Sequence, residues 1–258
     1  NWKDRKVAII KKFLMFILKI VSIINYFSVK KKYKKIIFLH IPHCGGNTIH
    51  KFLKFNFGGR GKKINVHLKK ELEIQEDGSN HFYNFGHFGF DFLKERFNNK
   101  NYFYILNVRK PKNFYLSNYF RDKKFLETYN PELTFKTFEE YLNTKILEKK
   151  DNIFCRYLSG QFIYQTNKVE MTDEIYNQAV KNLDYFNFFF VLESSQICLK
   201  SLPLEMNIPF NFSSYIPMHA NKHSNSIYPD ITREDNRLLE SMVKYDNKLY
   251  EIILKKNL

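Results

Sequence analysis

A chain of 258 residues with 44% apolar, 26% charged and 17% aromatic side chains can bury a core of its own, which excludes a disordered or low-complexity protein. Its formal charge of +16 suggests a nucleic-acid binder, but residues 1–35 hold 11 of the 42 Lys and Arg and only one of the 26 acidic residues. That segment's net +10 leaves +6 for the remainder, so the excess points to a membrane surface, not a nucleic-acid groove. The three cysteines, Cys44, Cys155 and Cys198, are widely spaced and form no Cys-x-x-Cys pair, so neither a zinc knuckle nor a disulfide framework is indicated. The chain opens on Asn1, not Met, which carries an expectation of further residues upstream.

Residues 1–34 read as a basic, membrane-proximal segment and residues 35–258 as one domain, undivided by repeats or linkers. Phe13 to Phe27 is apolar apart from Lys19, Ser22 and Asn25, and fifteen residues fall short of the roughly twenty that a spanning helix needs. Lys12, Lys19 and Ser22 recur at helical spacing and are expected to share a polar stripe, as in a basic amphipathic helix lying on an anionic leaflet. A signal anchor and a helix packed on the domain are the competing readings.

Beyond Lys34 the pattern alternates. Ile36–Ile41 reads as a buried strand and Thr48–Phe57 as a helix; a polar, glycine-containing stretch follows to Gly78. His81–Phe85 is a short strand and Tyr102–Val108 a clear one, rich in aromatic and branched residues. A helix starts at Pro111, since proline suits a first turn. Helical periodicity returns at Phe135–Ile146 and Asp173–Phe186, with a strand at Phe188–Leu192 between the latter and one long final helix, Arg233–Leu254, capped by Thr232. Strands alternating with helices predict an α/β fold with a parallel sheet covered on both faces.

Two stretches carry candidate chemistry. In Lys35-Ile-Ile-Phe-Leu-His-Ile-Pro-His-Cys-Gly-Gly-Asn-Thr48 a strand breaks at Pro42 and turns through Gly45 and Gly46 into a helix, aiming backbone N–H groups at one spot suited to a phosphate. It lacks the Gly-Lys-Ser/Thr ending of a Walker A loop, and a plain strand-to-helix turn would use the same residues. In Val108-Arg-Lys-Pro-Lys-Asn-Phe-Tyr-Leu-Ser-Asn-Tyr119, Arg109 leaves a strand end and Ser117 follows two turns into the next helix. Both can face the carboxyl edge of the sheet, where a guanidinium fork suits a dianionic phosphate; a surface salt bridge and a solvated serine are the bland alternatives.

The first stretch, His40-Ile-Pro-His-Cys-Gly-Gly-Asn-Thr48, resembles the 5′-phosphosulfate loop of sulfotransferases that use 3′-phosphoadenosine 5′-phosphosulfate (PAPS), with His43 where that family has a lysine. The second is similar to the 3′-phosphate motif of the glycan branch, in identity and spacing at Arg109 and Ser117. Between them, Gly86-His87 resembles the Gly-His dipeptide of heparan sulfate and uronyl 2-O-sulfotransferases, whose histidine is the catalytic base; a core histidine is the structural alternative. Fainter likeness extends through Asn152-Ile-Phe-Cys-Arg-Tyr-Leu-Ser-Gly160, Phe190-Val-Leu-Glu193 and Asp246-Asn-Lys-Leu-Tyr250, and His219-Ala-Asn-Lys-His-Ser224 lies where the family has a basic loop over the nucleotide.

The resemblance implies a P-loop-like sulfotransferase fold moving a sulfuryl group from PAPS, as co-substrate and without a metal, to a hydroxyl of a carbohydrate, an anionic glycan by analogy. It implies nucleotide contacts from His43, Cys44, Gly45, Gly46, Asn47, Thr48, Arg109, Ser117 and Lys222, with His87 as base and His43 at the leaving oxygen. The protein is expected at a membrane, on the cytoplasmic face if bacterial or in the Golgi lumen if eukaryotic. A catalytically impaired relative that still binds nucleotide and, less favoured, a nucleotide kinase are the alternatives.

Overall fold

The computed structural model of the chain describes residues 2–64, 81–160, 169–210 and 231–257. A long helix, α1 (Trp2–Lys32), leads into β1 (Lys35–Leu39), α2 (Gly46–Phe57), β2 (Gly61–Lys63), β3 (Tyr83–Gly86) and α3 (Phe90–Arg96). Next come β4 (Tyr102–Val108), α4 (Pro111–Tyr129), α5 (Phe138–Leu147), α6 (Ile153–Ser159) and α7 (Asp173–Asn182). The chain closes through β5 (Phe188–Val191), α8 (Ser195–Glu205), α9 (Arg233–Met242) and α10 (Lys244–Lys256).

The five strands are all parallel and lie in the order β2-β3-β1-β4-β5, so the α/β class expected from the alternating pattern is present, with helices flanking the sheet. Every residue of β1 and β5 is buried, as continuous Ile, Leu, Val and Phe runs require in a sheet covered on both faces. The chain leaves β1 toward β2 and β3 on one side and later crosses to place β4 on the other. Connections after β1 and β4 therefore part at the carboxyl ends of the strands and open a crevice there.

Pro111 occupies the first turn of α4, and Thr232 caps α9 through a capping box with Asp235, both as read from the sequence. The final helix is not continuous. It breaks at Val243 because the side chain of Asn152 enters the backbone ladder: its Oδ1 accepts from Tyr245 N at 2.9 Å and Asp246 N at 3.2 Å, while its own N donates to Met242 O. Asp246 answers by accepting from Phe154 N and Cys155 N at the start of α6. The segment expected to be helical to Phe186 ends as α-helix at Asn182, with a single 3₁₀ turn after it. Four elements went unread: β2, α3, α6 and α8, each short or lacking a clean apolar period.

The polar stripe expected on α1 divides between two faces. Lys12 and Lys19 are exposed, but Ser22 is buried against the domain beside Asn25 and Val29. Asn25 is fully enclosed and bonded on both sides, donating to Asn56 Oδ1 and Phe210 O and accepting from Phe210 N. The last third of α1 is thus a packed element of the domain. All three cysteines are buried free thiols.

Asn152 sits at φ 45°, a left-handed conformation that asparagine tolerates and alanine does not. Replacing Asn152 with Ala removes two accepted hydrogen bonds at the start of α10 and should cost about 1–3 kcal/mol in urea unfolding. A loss within error of zero would mean that the helix break is set elsewhere.

Candidate anion-binding cleft

The crevice is a cleft of about 660 Å³ to which every strand of the sheet contributes at or beyond its carboxyl end. The loop after β1 supplies His40, Pro42, His43, Gly45, Gly46 and Asn47, and the first turns of α2 supply Thr48 and His50. β3 gives Phe85 and His87, and β2 gives Lys63. From the other side come Arg109 after β4, Ser117 on α4, and Leu192 and Ser195 after β5.

The loop's shape depends on two glycines and one distant amide. Gly45 caps α2 at φ 79°, and a Cβ there would come within 2.7 Å of Leu192 Cδ1. A Cβ on Gly46 would stand 1.9 Å from His40 Nε2, so the imidazole fills the space behind the turn only because that position has no side chain. Asn107, buried in β4, holds the loop in place: its Oδ1 accepts from Ile41 N at 2.7 Å, and its Nδ2 donates to Ile41 O and Cys44 O at 3.0 Å each. Glu193 performs the same service for the turn bearing Arg109. It accepts from Lys110 N and Asn113 Nδ2 through one oxygen and from Tyr250 Oη through the other.

The sequence-predicted residues converge. His43, Gly45, Gly46, Asn47, Thr48, His87, Arg109 and Ser117 all line this one cleft. Arg109 reaches back toward the loop, its Nη1 making a long 3.5 Å contact with His43 O, while its Nε is buried with no hydrogen-bond partner among the described residues. Cys44 belongs to the same loop but does not line the cleft. Its side chain is fully buried away from the cleft and burial raises its thiol pKa, so only its main chain belongs to the loop. Lys222, with the rest of His219–Ser224, lies outside the described residues.

Sequence reasoning assigned nothing to four residues that matter here. Asn107 was legible as a lone amide in an otherwise apolar strand. His40, stacked on Phe38 at 5.3 Å and edge-on to His87 at 4.6 Å, stood inside the loop motif without a role. His50, stacked on Phe85 at 4.0 Å, and Lys63 left no sequence signal, because the sheet alone brings β2 beside β3.

The cleft is cationic by composition, and burial favours the neutral forms of His40 and His43. Burial, reinforced by His87, His43, Lys63 and His50, lowers the pKa of His40 to about 3. Burial chiefly, with Arg121 next and Asp122 partly opposing, lowers His43 to about 4. Among the described residues lining the cleft there is no Asp or Glu, and no group of His, Cys, Asp and Glu among the described residues is arranged to hold a metal ion. A second cavity of about 170 Å³, bordered by Arg121, Asp122 and Lys145, shares Pro42 and His43 with the first, so the loop forms a wall between them.

Fold and cleft together define an α/β protein with a candidate anion-binding crevice at its strand ends. A scan against protein-family models found no match for the chain, and a search of curated proteins found none either.

Because His40 and His43 titrate below an ordinary histidine, the unfolded chain binds more protons than the folded one from about pH 6.5 downward. Their contribution to stability is present above pH 6.5 and is lost as pH falls through about 4 for His43 and about 3 for His40. His40→Gln should therefore show a shallower fall in urea-unfolding stability from pH 6.5 to 4 than the parent; an unchanged slope would mean that His40 is not held neutral by burial.

Proposed function

We propose that the chain transfers the sulfuryl group of PAPS to a hydroxyl of an anionic glycan, as its resemblance to glycan sulfotransferases implies. The observation that supports this best is the buried Arg109 Nε, without a hydrogen-bond partner among the described residues and set across a cleft whose described lining holds no carboxylate from a glycine turn at a helix start. A buried donor without an acceptor costs about 1–3 kcal/mol, and an anion in the cleft would remove that cost. The glycine turn supplies a second anion site, so the two suit a ligand charged at both ends.

The residues fit such a nucleotide. The main chain of residues 43–48 with the Thr48 hydroxyl would hold the 5′ end, and Arg109 with Ser117 the 3′-phosphate. When bound, PAPS supplies a sulfuryl group joined through a bridging oxygen to a phosphate. His87 takes the proton of the acceptor hydroxyl as that oxygen approaches sulfur. His43 donates a hydrogen bond to the bridging oxygen, where charge builds as its bond to sulfur breaks and adenosine 3′,5′-bisphosphate departs. His50, Lys63 and Phe85, at the β2–β3 side of the cleft, form the entry for the acceptor, and Lys63 favours an acidic sugar.

A second reading has a specific observation behind it. His43 stands in place of the family's lysine, and burial with Arg121 lowers its pKa to about 4, so the chain could bind the nucleotide without turnover. A kinase is disfavoured, since no carboxylate stands in the described cleft wall to carry magnesium.

Calorimetric titration with adenosine 3′,5′-bisphosphate, followed by radiolabelled sulfate transfer to a panel of desulfated polysaccharides, tests both readings. The parent should bind, and Arg109→Ala should weaken binding about 10- to 100-fold, as expected for a charged hydrogen bond. His87→Ala should abolish transfer with the binding isotherm unchanged. Transfer that first appears in His43→Lys would select the silent relative, and a parent that binds no bisphosphate would sink both.

A further inference from the structure

Helix α1 carries two stripes about half a turn apart. One, running through Ser22, Asn25 and Val29, is buried on the domain and fastened by the Asn25 bonds to Asn56 and Phe210. The other, Ile9, Phe13, Phe16, Ile20, Ile24 and Phe27 at steps of three or four residues, faces away from it. Ile9, Phe13 and Phe16 are each at least 60% exposed. An ordinary surface helix puts its polar residues on the side turned from the domain; α1 puts large aliphatic and aromatic ones there.

The occupant is selected by charge. Lys12 and Lys19 run along one edge of the apolar stripe and are exposed, so their stems can lie on it while the ammonium groups reach outward. The helix as a whole holds nine Lys and Arg against the single acid Asp4, a net +8. The same lysines, with Lys11, interrupt the apolar run, and among the described residues no helix is long and apolar enough to cross a membrane. Apolar stripe, basic margin and interruption together fit a helix lying in the plane of an anionic lipid surface.

The packing also fixes an orientation. α2 starts at the cleft with Gly46, and α1 meets it at Asn56, ten residues or about 15 Å further along the helix axis. α1 therefore attaches at the edge of the domain remote from the cleft. We infer that the outward stripe of α1 docks the protein on an anionic bilayer surface, leaving the cleft open to the aqueous side. The inference is independent of what the cleft binds.

Co-sedimentation of the full chain with vesicles tests it. The parent should partition onto phosphatidylcholine–phosphatidylserine vesicles, more weakly in high salt, and far less onto phosphatidylcholine alone. Phe16→Glu/Ile20→Glu should lower partitioning at least about tenfold while the thermal unfolding curve stays in place, since both side chains are exposed. Lys12→Glu/Lys19→Glu should weaken binding to the anionic vesicles about fivefold or more per lysine. Hydrogen exchange on vesicles should slow in residues 9–27 and stay unchanged in the loop at 40–48. A parent that ignores vesicles, a Phe16→Glu/Ile20→Glu variant that binds as well as the parent, or protection of the cleft loop would each overturn the proposal. So would a vesicle-independent dimer dissolved by the same pair of substitutions, which would assign the stripe to a second copy of the chain.

Discussion

The amide of Asn107 is the constraint on which the cleft depends. A loop leaving the centre of a parallel sheet has backbone groups that no neighbouring strand can satisfy, and the turn through Pro42, His43 and Cys44 is of this kind. Asn107 supplies an acceptor and a donor from the adjacent strand and meets three of those groups at 2.7–3.0 Å inside the core. Each such bond adds about 0.5–1.5 kcal/mol net, and leaving a buried partner unmet costs about 1–3 kcal/mol. The turn is thereby tied to the strand end that carries Arg109 two residues later, so the main-chain wall of the cleft is anchored to the strand that bears its guanidinium.

The same device recurs at other junctions. Glu193 joins the start of α4 to Tyr250 on α10, the Asn152–Asp246 exchange joins α6 to the paired terminal helices, and Asn25 joins α1 to α2. In each case a polar side chain bridges two elements of the fold; Asn25, Asn152 and Asp246 do so from buried positions and Glu193 from an exposed one. Apolar packing supplies the bulk of the stability, but it is tolerant of register; hydrogen-bonded amides and carboxylates are directional and select one arrangement.

The electrostatic design of the domain separates two positive regions. One is the cleft, where guanidinium, lysine and main-chain donors converge without a carboxylate among the described lining residues and burial keeps His40 and His43 uncharged. The other is α1, whose lysines border an apolar stripe facing outward. An overall charge of +16 conceals this division, which only the position of each residue in the fold makes visible.

Much of the sheet was legible, because parallel strands buried on both faces are written as mainly apolar runs: Tyr102–Val108 matches its strand residue for residue, and the β1, β3 and β5 runs lie within two residues of theirs. The helix signals at Pro111 and Thr232 were equally local, resting on a fixed φ and a capping side chain. The sequence by itself therefore determined the α/β class, the glycine turn, and the candidacy of Arg109, Ser117 and His87. Tertiary structure alone decided that those residues share a cleft, that His40, His50 and Lys63 join them, that Cys44 turns inward, and that Asn152 splits the last helix. It also decided which side of α1 is covered. The reason is common to all of these: chain-local preferences act over a few residues, whereas each of the later facts depends on groups brought together from distant elements, and no local period records which distant group arrives.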